Sequence, residues 1–124
     1  MSVLLDSVIL IDHLNDWPEA TEYLRRIRGG AAVSVITRAE VLTGFEPQAR
    51  PAALQLLDSF PTIAIGKQAA DLAARLRREH GWRLPDALQA ALAKLHGLKL
   101  ATRNTRDFPA DRFDFVVAPY RARR

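Results

Sequence analysis

Short continuous apolar runs alternate along this chain with longer stretches in which apolar positions recur every three or four residues. Val3-Leu4-Leu5 has the length and composition of a buried strand and stops at Asp6. Val8, Ile9, Leu10 and Ile11 then carry a helix predicted from Ser7 to Leu14. Asp16, Pro18 and Glu19 read as the capped start of a second helix, with Ala20, Tyr23, Leu24 and Ile27 on one face and Gly29-Gly30 as its stop. Ala31 to Val35 reads as a strand, and a helix is expected from about Thr37 to Gly44-Phe45. Pro47 and Pro51 mark a loop and a new helix with Ala53, Leu54, Leu57 and Phe60 on its stripe, ended by Pro61. Thr62 to Ile65 is strand-like and Gly66 turns the chain.

The helix predicted from Lys67 to Glu79 turns Ala69, Leu72, Ala73 and Leu76 inward and Arg75, Arg77 and Arg78 outward. His80-Gly81 breaks it, and the helix from Pro85 to His96 carries Leu88, Ala91, Leu92 and Leu95 as its stripe. Leu98 to Thr102 is a strand, residues 103–108 a turn and Phe113 to Val117 the last strand, before a basic tail over about 119–124. Strands alternating with helices predict an α/β fold: a central, mainly parallel sheet flanked by helices on both faces. At 124 residues, with no long linker or repeat, the chain is expected to form one domain over 1–124.

Composition narrows the chemistry. The chain has no cysteine, so a disulfide framework, a thiolate metal site and a cysteine nucleophile are excluded. No glycine-rich phosphate loop follows any strand, and His13, His80 and His96 are scattered, reading as surface or packing residues. The N-terminus lacks the pattern of a signal peptide and no apolar run reaches the roughly 18–20 residues of a membrane span, so a cytoplasmic protein without membrane contact is expected. Net charge is +4, and of the 18 basic residues 15 are arginine. Arginine suits phosphate by its bidentate geometry, which favours a nucleic-acid partner, although a GC-rich genome enriches it equally well.

The informative residues are acids at element ends. Asp6 closes the first strand and also suits a helix N-cap. Glu40 lies in an apolar stretch, and Thr37-Arg38-Ala39-Glu40 also fits a capping box. Asp86 follows Pro85 at a helix start, where the dipole favours an acid. Asn104 and Asp107 stand three apart after the fourth strand and could cap one helical turn. Singly each has a structural explanation. Together, a parallel sheet brings all of them to the carboxyl edge of its strands, where ligands gather. Clustered like charges need a cation, and hard oxygen ligands suit Mg²⁺ or Mn²⁺, which serve phosphodiester hydrolysis.

The stretches Leu4-Leu5-Asp6-Ser7 with Leu10-Ile11-Asp12, residues 33–42, residues 84–93 and residues 100–108 resemble, in order and spacing, the PIN-domain ribonucleases, specifically the VapC toxins of type II toxin–antitoxin pairs. That resemblance implies a Mg²⁺- or Mn²⁺-dependent endoribonuclease inhibited by a VapB-like antitoxin. It implies Asp6, Glu40 and Asp86 as metal-binding acids, with Asn104 or Asp107 completing the site. Ser7 and Thr102 become hydroxyls near the metal or a phosphate, and Arg103 and Arg106 contacts to the RNA backbone. Val8 departs from the family, many of whose members carry Asn there. The resemblance also implies a homodimer, a heterotetramer or larger with antitoxin, and a groove for an antitoxin helix for which Trp17, Tyr23 and Leu24 are candidates. The rival readings are a non-catalytic PIN-like module that binds nucleic acid or protein, and a DNA nuclease of related fold.

Overall fold

The structure is a computed structural model and describes residues 2–121. Its centre is a five-stranded sheet in the order β3-β2-β1-β4-β5. The strands are β1 (Val3–Leu5), β2 (Ala31–Ser34), β3 (Thr62–Ile63), β4 (Lys99–Ala101) and β5 (Val116–Val117), and every pairing is parallel. Six helices connect them: α1 (Ser7–Leu14), α2 (Pro18–Ile27), α3 (Val35–Thr43), α4 (Arg50–Asp58), α5 (Lys67–His80) and α6 (Leu84–Leu95). Among the described residues no helix is long and apolar enough to cross a membrane. Residues 122–124 of the predicted basic tail lie outside the described residues.

Alternation along the strands sorts the core into two layers. Val3, Leu5, Ala31 and Val33 pack with Ile9, Leu10, Leu24, Val41 and Leu57 on one face. Leu4, Ala32, Leu100 and Val116 pack with Ala73, Leu76, Ala90 and Leu92 on the other. A side-chain period of two allows a strand to serve both layers only if both of its faces are apolar, and β1 is buried throughout. After β1 the chain builds outward to β2 and β3, then crosses back to place β4 on the other side of β1. The reversal leaves a crevice between the carboxyl ends of β1 and β4, the position at which open α/β sheets bind ligands.

Several local expectations need correction. The helix predicted from Thr37 begins at Val35, because Ser34 is its cap: Ser34 Oγ accepts from Thr37 N at 3.1 Å. The Thr37–Glu40 capping box therefore does not form; Thr37 Oγ1 instead donates to the Leu5 carbonyl at 3.0 Å. Asp16 does not cap α2. It takes a left-handed turn (φ 64°), and Trp17 precedes the helix. Leu95, placed on the inner stripe of α6, is 39% exposed, while Gln89 on the same helix is buried. The edge strands β3 and β5 are shorter than their apolar runs.

Candidate active site

Asp6 ends β1 and sits at the crevice. Its backbone N–H donates to the Ala101 carbonyl at 2.9 Å, and its two side-chain oxygens are held separately. Oδ1 accepts from Ser7 N at 2.8 Å, so the capping role is real, and Oδ2 accepts from Thr102 Oγ1 at 2.7 Å. The second bond joins residues 96 positions apart across the β1–β4 crevice. Burial nevertheless raises the Asp6 pKa, and the hydrogen bonds from Thr102 and Ser7 offset that only in part.

Glu40 and Asp86, on different helices, both feel the charge of Asp6. Burial raises the Glu40 pKa; the Ser7 hydroxyl lowers it, and the charges of Asp6 and Asp86 raise it again. Asp86, in the first turn of α6, is likewise raised by burial, lowered by Arg83, and raised by Asp6 and Asp107. Arg83 Nε stands 3.6 Å from Asp86 Oδ2 as an ion pair whose arginine is largely exposed, and Arg103 adds a weaker field at Asp6. The acids thus repel one another without full compensation from the protein.

The turn after β4 separates the roles of Asn104 and Asp107. Asn104 is a strut: its N–H donates to Thr102 Oγ1 at 3.0 Å, its Oδ1 accepts from Asp107 N at 3.4 Å, and its Nδ2 donates to Asp107 Oδ2 at 3.1 Å. Asp107 carries the charge that Asp86 feels. Asp107 is also fixed from the other side, where Trp82 Nε1 donates to its carbonyl at 3.1 Å.

Arg103 has an occupation other than the one expected. Its Nε and Nη2 donate to Asp12 Oδ2 and Oδ1 at 2.6 and 3.0 Å, a bidentate pair on a carboxylate that is 4% exposed. Tyr120 Oη donates to the same Asp12 Oδ2 at 2.7 Å, and the guanidinium lies 4.9 Å above the Trp17 ring. A group so committed is no free phosphate ligand. Arg106 is exposed and belongs to no salt bridge among the described residues. Tyr23 and Leu24, candidates for a partner groove, are each 7% exposed and belong to the core. Leu24 also lines a cavity of about 220 Å³ with His13, Thr21, Leu56 and Phe60.

Sequence reasoning missed three supporting residues. Gln89 Nε2 donates to Thr37 Oγ1 at 2.7 Å while its Oε1 accepts from Ser34 Oγ at 2.6 Å, and its side chain also lowers the Asp6 pKa. One polar residue inside the apolar face of α6 was the available signal. Asp12, an acid inside the apolar run of α1, offered the same signal. Tyr120 offered none.

Among the described residues no group of three or more acids or imidazoles is gathered tightly enough to hold a metal ion as the side chains stand. The donor set still fits a hard cation. All of it is carboxylate oxygen, and Mg²⁺ commonly takes only one or two carboxylates, completing its shell with water and substrate phosphate.

Comparison with known proteins places the fold in a family. The PIN domain family model matches residues 3–115. The chain is 38% identical over 125 aligned positions to Ribonuclease VapC10 of Mycobacterium tuberculosis, covering 95% of this chain and 92% of that one. A toxin–antitoxin complex from Klebsiella pneumoniae contains a chain superposing with a TM-score of 0.90 at 37% identity, over 98% of this chain and 100% of that one. FitAcB from Neisseria gonorrhoeae superposes at 0.77 and 25% identity, over 94% and 97%.

Proposed function

This chain belongs to the PIN-domain family and within it to the VapC ribonucleases, and from that premise we propose how its own residues cleave RNA. It is an RNA-cleaving hydrolase, the toxin of a type II toxin–antitoxin pair. The observation that carries the reading is the set of acids at the β1–β4 crevice: burial raises the pKa of Asp6, Glu40 and Asp86, and neighbouring acid charges raise Glu40 and Asp86 further.

In this reading Asp6, Glu40, Asp86 and Asp107 hold Mg²⁺ or Mn²⁺. When bound, the ion neutralises the acids and the scissile phosphate and makes water a competent nucleophile at neutral pH. The protein's part is positioning. Thr102 and the Ser7 N–H fix the Asp6 carboxylate in one orientation, leaving lone pairs on both oxygens. Ser7 faces Glu40, Asn104 aims Asp107, and Gln89 ties α6 to α3 so that Asp86 and Glu40 keep their separation. Arg83 restrains Asp86 while remaining exposed enough to meet a phosphate. Asp107, with its charge, completes the acid set, and Asn104 supports it.

The matched neighbours are toxin–antitoxin proteins, which supports a VapB-like antitoxin as inhibitor. We extend this to a homodimer that takes up antitoxin as a heterotetramer or larger, with the groove beside Leu24 and Leu56 as the seat of an antitoxin helix. Cleavage of single-stranded RNA by the purified protein with Mg²⁺ or Mn²⁺ tests the reading. Activity should vanish on chelation and in Asp6→Asn and Asp86→Asn. Equal activity in the variants would remove the acids from the site.

A further inference from the structure

A cavity of about 500 Å³ opens at the α5–α6 junction, two residues from Asp86 along the chain, within the range of about 300–1,000 Å³ that accommodates small ligands. It is lined by Ala74, Arg77, Arg78, Gly81, Trp82 and Leu84. Its position follows from the fold. The three residues 81–83 join α5 to α6, so the carboxyl end of α5 lies against the start of α6, one turn from Asp86. Gly81 is left-handed (φ 72°), and a Cβ there would meet nothing within 4 Å, so the cavity mouth stays open. Trp82, which forms one wall, is the residue whose indole N–H holds the Asp107 carbonyl. That bond ties the cavity wall to the turn that carries Asp107.

The lining matches one kind of occupant. Arg77 and Arg78 are exposed and belong to no salt bridge among the described residues. No carboxylate lines the cavity, and Leu84 on its rim is 51% exposed, an apolar surface without a partner. Guanidinium groups bind phosphate bidentately and stack on base faces, and an apolar wall accepts the flat side of a base. A protein segment would gain nothing from two unmatched positive charges unless it were acidic.

Resting on the ribonuclease reading above, we propose that this cavity is a subsite for a nucleotide flanking the scissile phosphate, its phosphate on Arg77 and Arg78 and its base against Leu84. Strands long enough to reach it are therefore bound more tightly and cut faster than those that end at the acids.

The test uses full-length protein and unstructured oligoribonucleotides of increasing length around one cleaved position. Binding is measured by fluorescence anisotropy in the inactive Asp86→Asn background. The double variant Arg77→Ala/Arg78→Ala should bind the long strand about tenfold more weakly. Its plot of log affinity against log salt should lose about 0.7 in slope per arginine removed. In the active enzyme the same variant should lose the gain in kcat/KM that wild type shows on lengthening the strand. Leu84→Glu, which puts a carboxylate at the rim, should weaken long-strand binding further. Arg28→Ala, just before the amino end of β2 and outside the lining of this cavity, should change none of these.

Unchanged RNA affinity and salt slope in the double variant overturn the subsite while leaving the ribonuclease reading intact. A change confined to self-association or antitoxin affinity overturns it too and gives the cavity to a protein. Wild type that neither binds nor cuts RNA with Mg²⁺ or Mn²⁺ overturns the ribonuclease reading itself, and the subsite with it.

Discussion

Two groups of acids lie within a few residues of each other in this fold, and they are treated in opposite ways. Asp12 is almost wholly buried and has everything a buried carboxylate needs: two bonds from Arg103 and one from Tyr120. Asp6, Glu40 and Asp86 are left short of positive charge, and each is pushed toward its neutral form. The difference separates structure from function. A carboxylate matched inside the chain contributes to the fold, whereas a set left unmatched is the kind of cluster that the proposed function assigns to a cation and a phosphate.

Substitutions should break the two groups differently. The largest effect is expected on chemistry: Asp86→Asn or Asp6→Asn should lower RNA cleavage a hundredfold or more, because stabilisation of transition-state charge of several kcal/mol is lost, on the order of 1.4 kcal/mol per tenfold in rate. Single-turnover cleavage with saturating Mg²⁺ checks this. Next comes the matched group. Arg103→Met strands the Asp12 charge and should cost about 3 kcal/mol in urea unfolding, and pairing it with Asp12→Leu should recover part of the loss. Failure of the double variant to recover would mean that Arg103 acts mainly through Trp17 and not through Asp12.

Smaller is the division of labour in the turn after β4. Asn104→Ala should cost about 1 kcal/mol, as loss of a cap does, while Asp107→Asn should cost little stability and much cleavage. The reverse pattern would make Asn104 the functional residue.

The smallest effect expected is on pH dependence. The folded-state pKa values of Asp6, Glu40 and Asp86 lie above ordinary values of 3.8, 4.5 and 3.8, so the folded protein binds more protons than the unfolded chain in that window. Stability of the metal-free protein should therefore be fully present below the unfolded values and fall as pH rises through the folded ones. Added Mg²⁺ should flatten this slope, and Asp86→Asn should reduce it and raise the metal-free Tm. Thermal scans across pH with and without Mg²⁺ measure both.

What the sequence revealed and concealed follows the same division. The apolar alternation was enough to place all five strands and six helices, and the order of the acids predicted Asp6, Glu40, Asp86 and the Asn104–Asp107 turn at one edge. Contacts that depend on distant partners were hidden. Thr37 looked like a cap because Glu40 stood three residues on, but Ser34 took the cap and Thr37 reached across to Leu5. Arg103 looked like a phosphate ligand because its partner lies 91 residues away. The split between Asn104 and Asp107 could not be read from spacing, since both residue types suit that turn. In the structure Asn104 donates to Asp107, and Asp107 carries the charge that Asp86 feels.

The bond from Thr102 to Asp6 has a consequence for how the protein is made. β1 is central yet is synthesised first, and its neighbour β4 emerges nearly a hundred residues later. Until residues 99–107 leave the ribosome, Asp6 has no Thr102 to orient it, and the turn bearing Asp107 does not exist. A growing chain that already carries Asp6, Glu40 and Asp86 therefore still lacks the bond that orients Asp6. The acid edge therefore assembles only after both ends of this long sequence separation have been made.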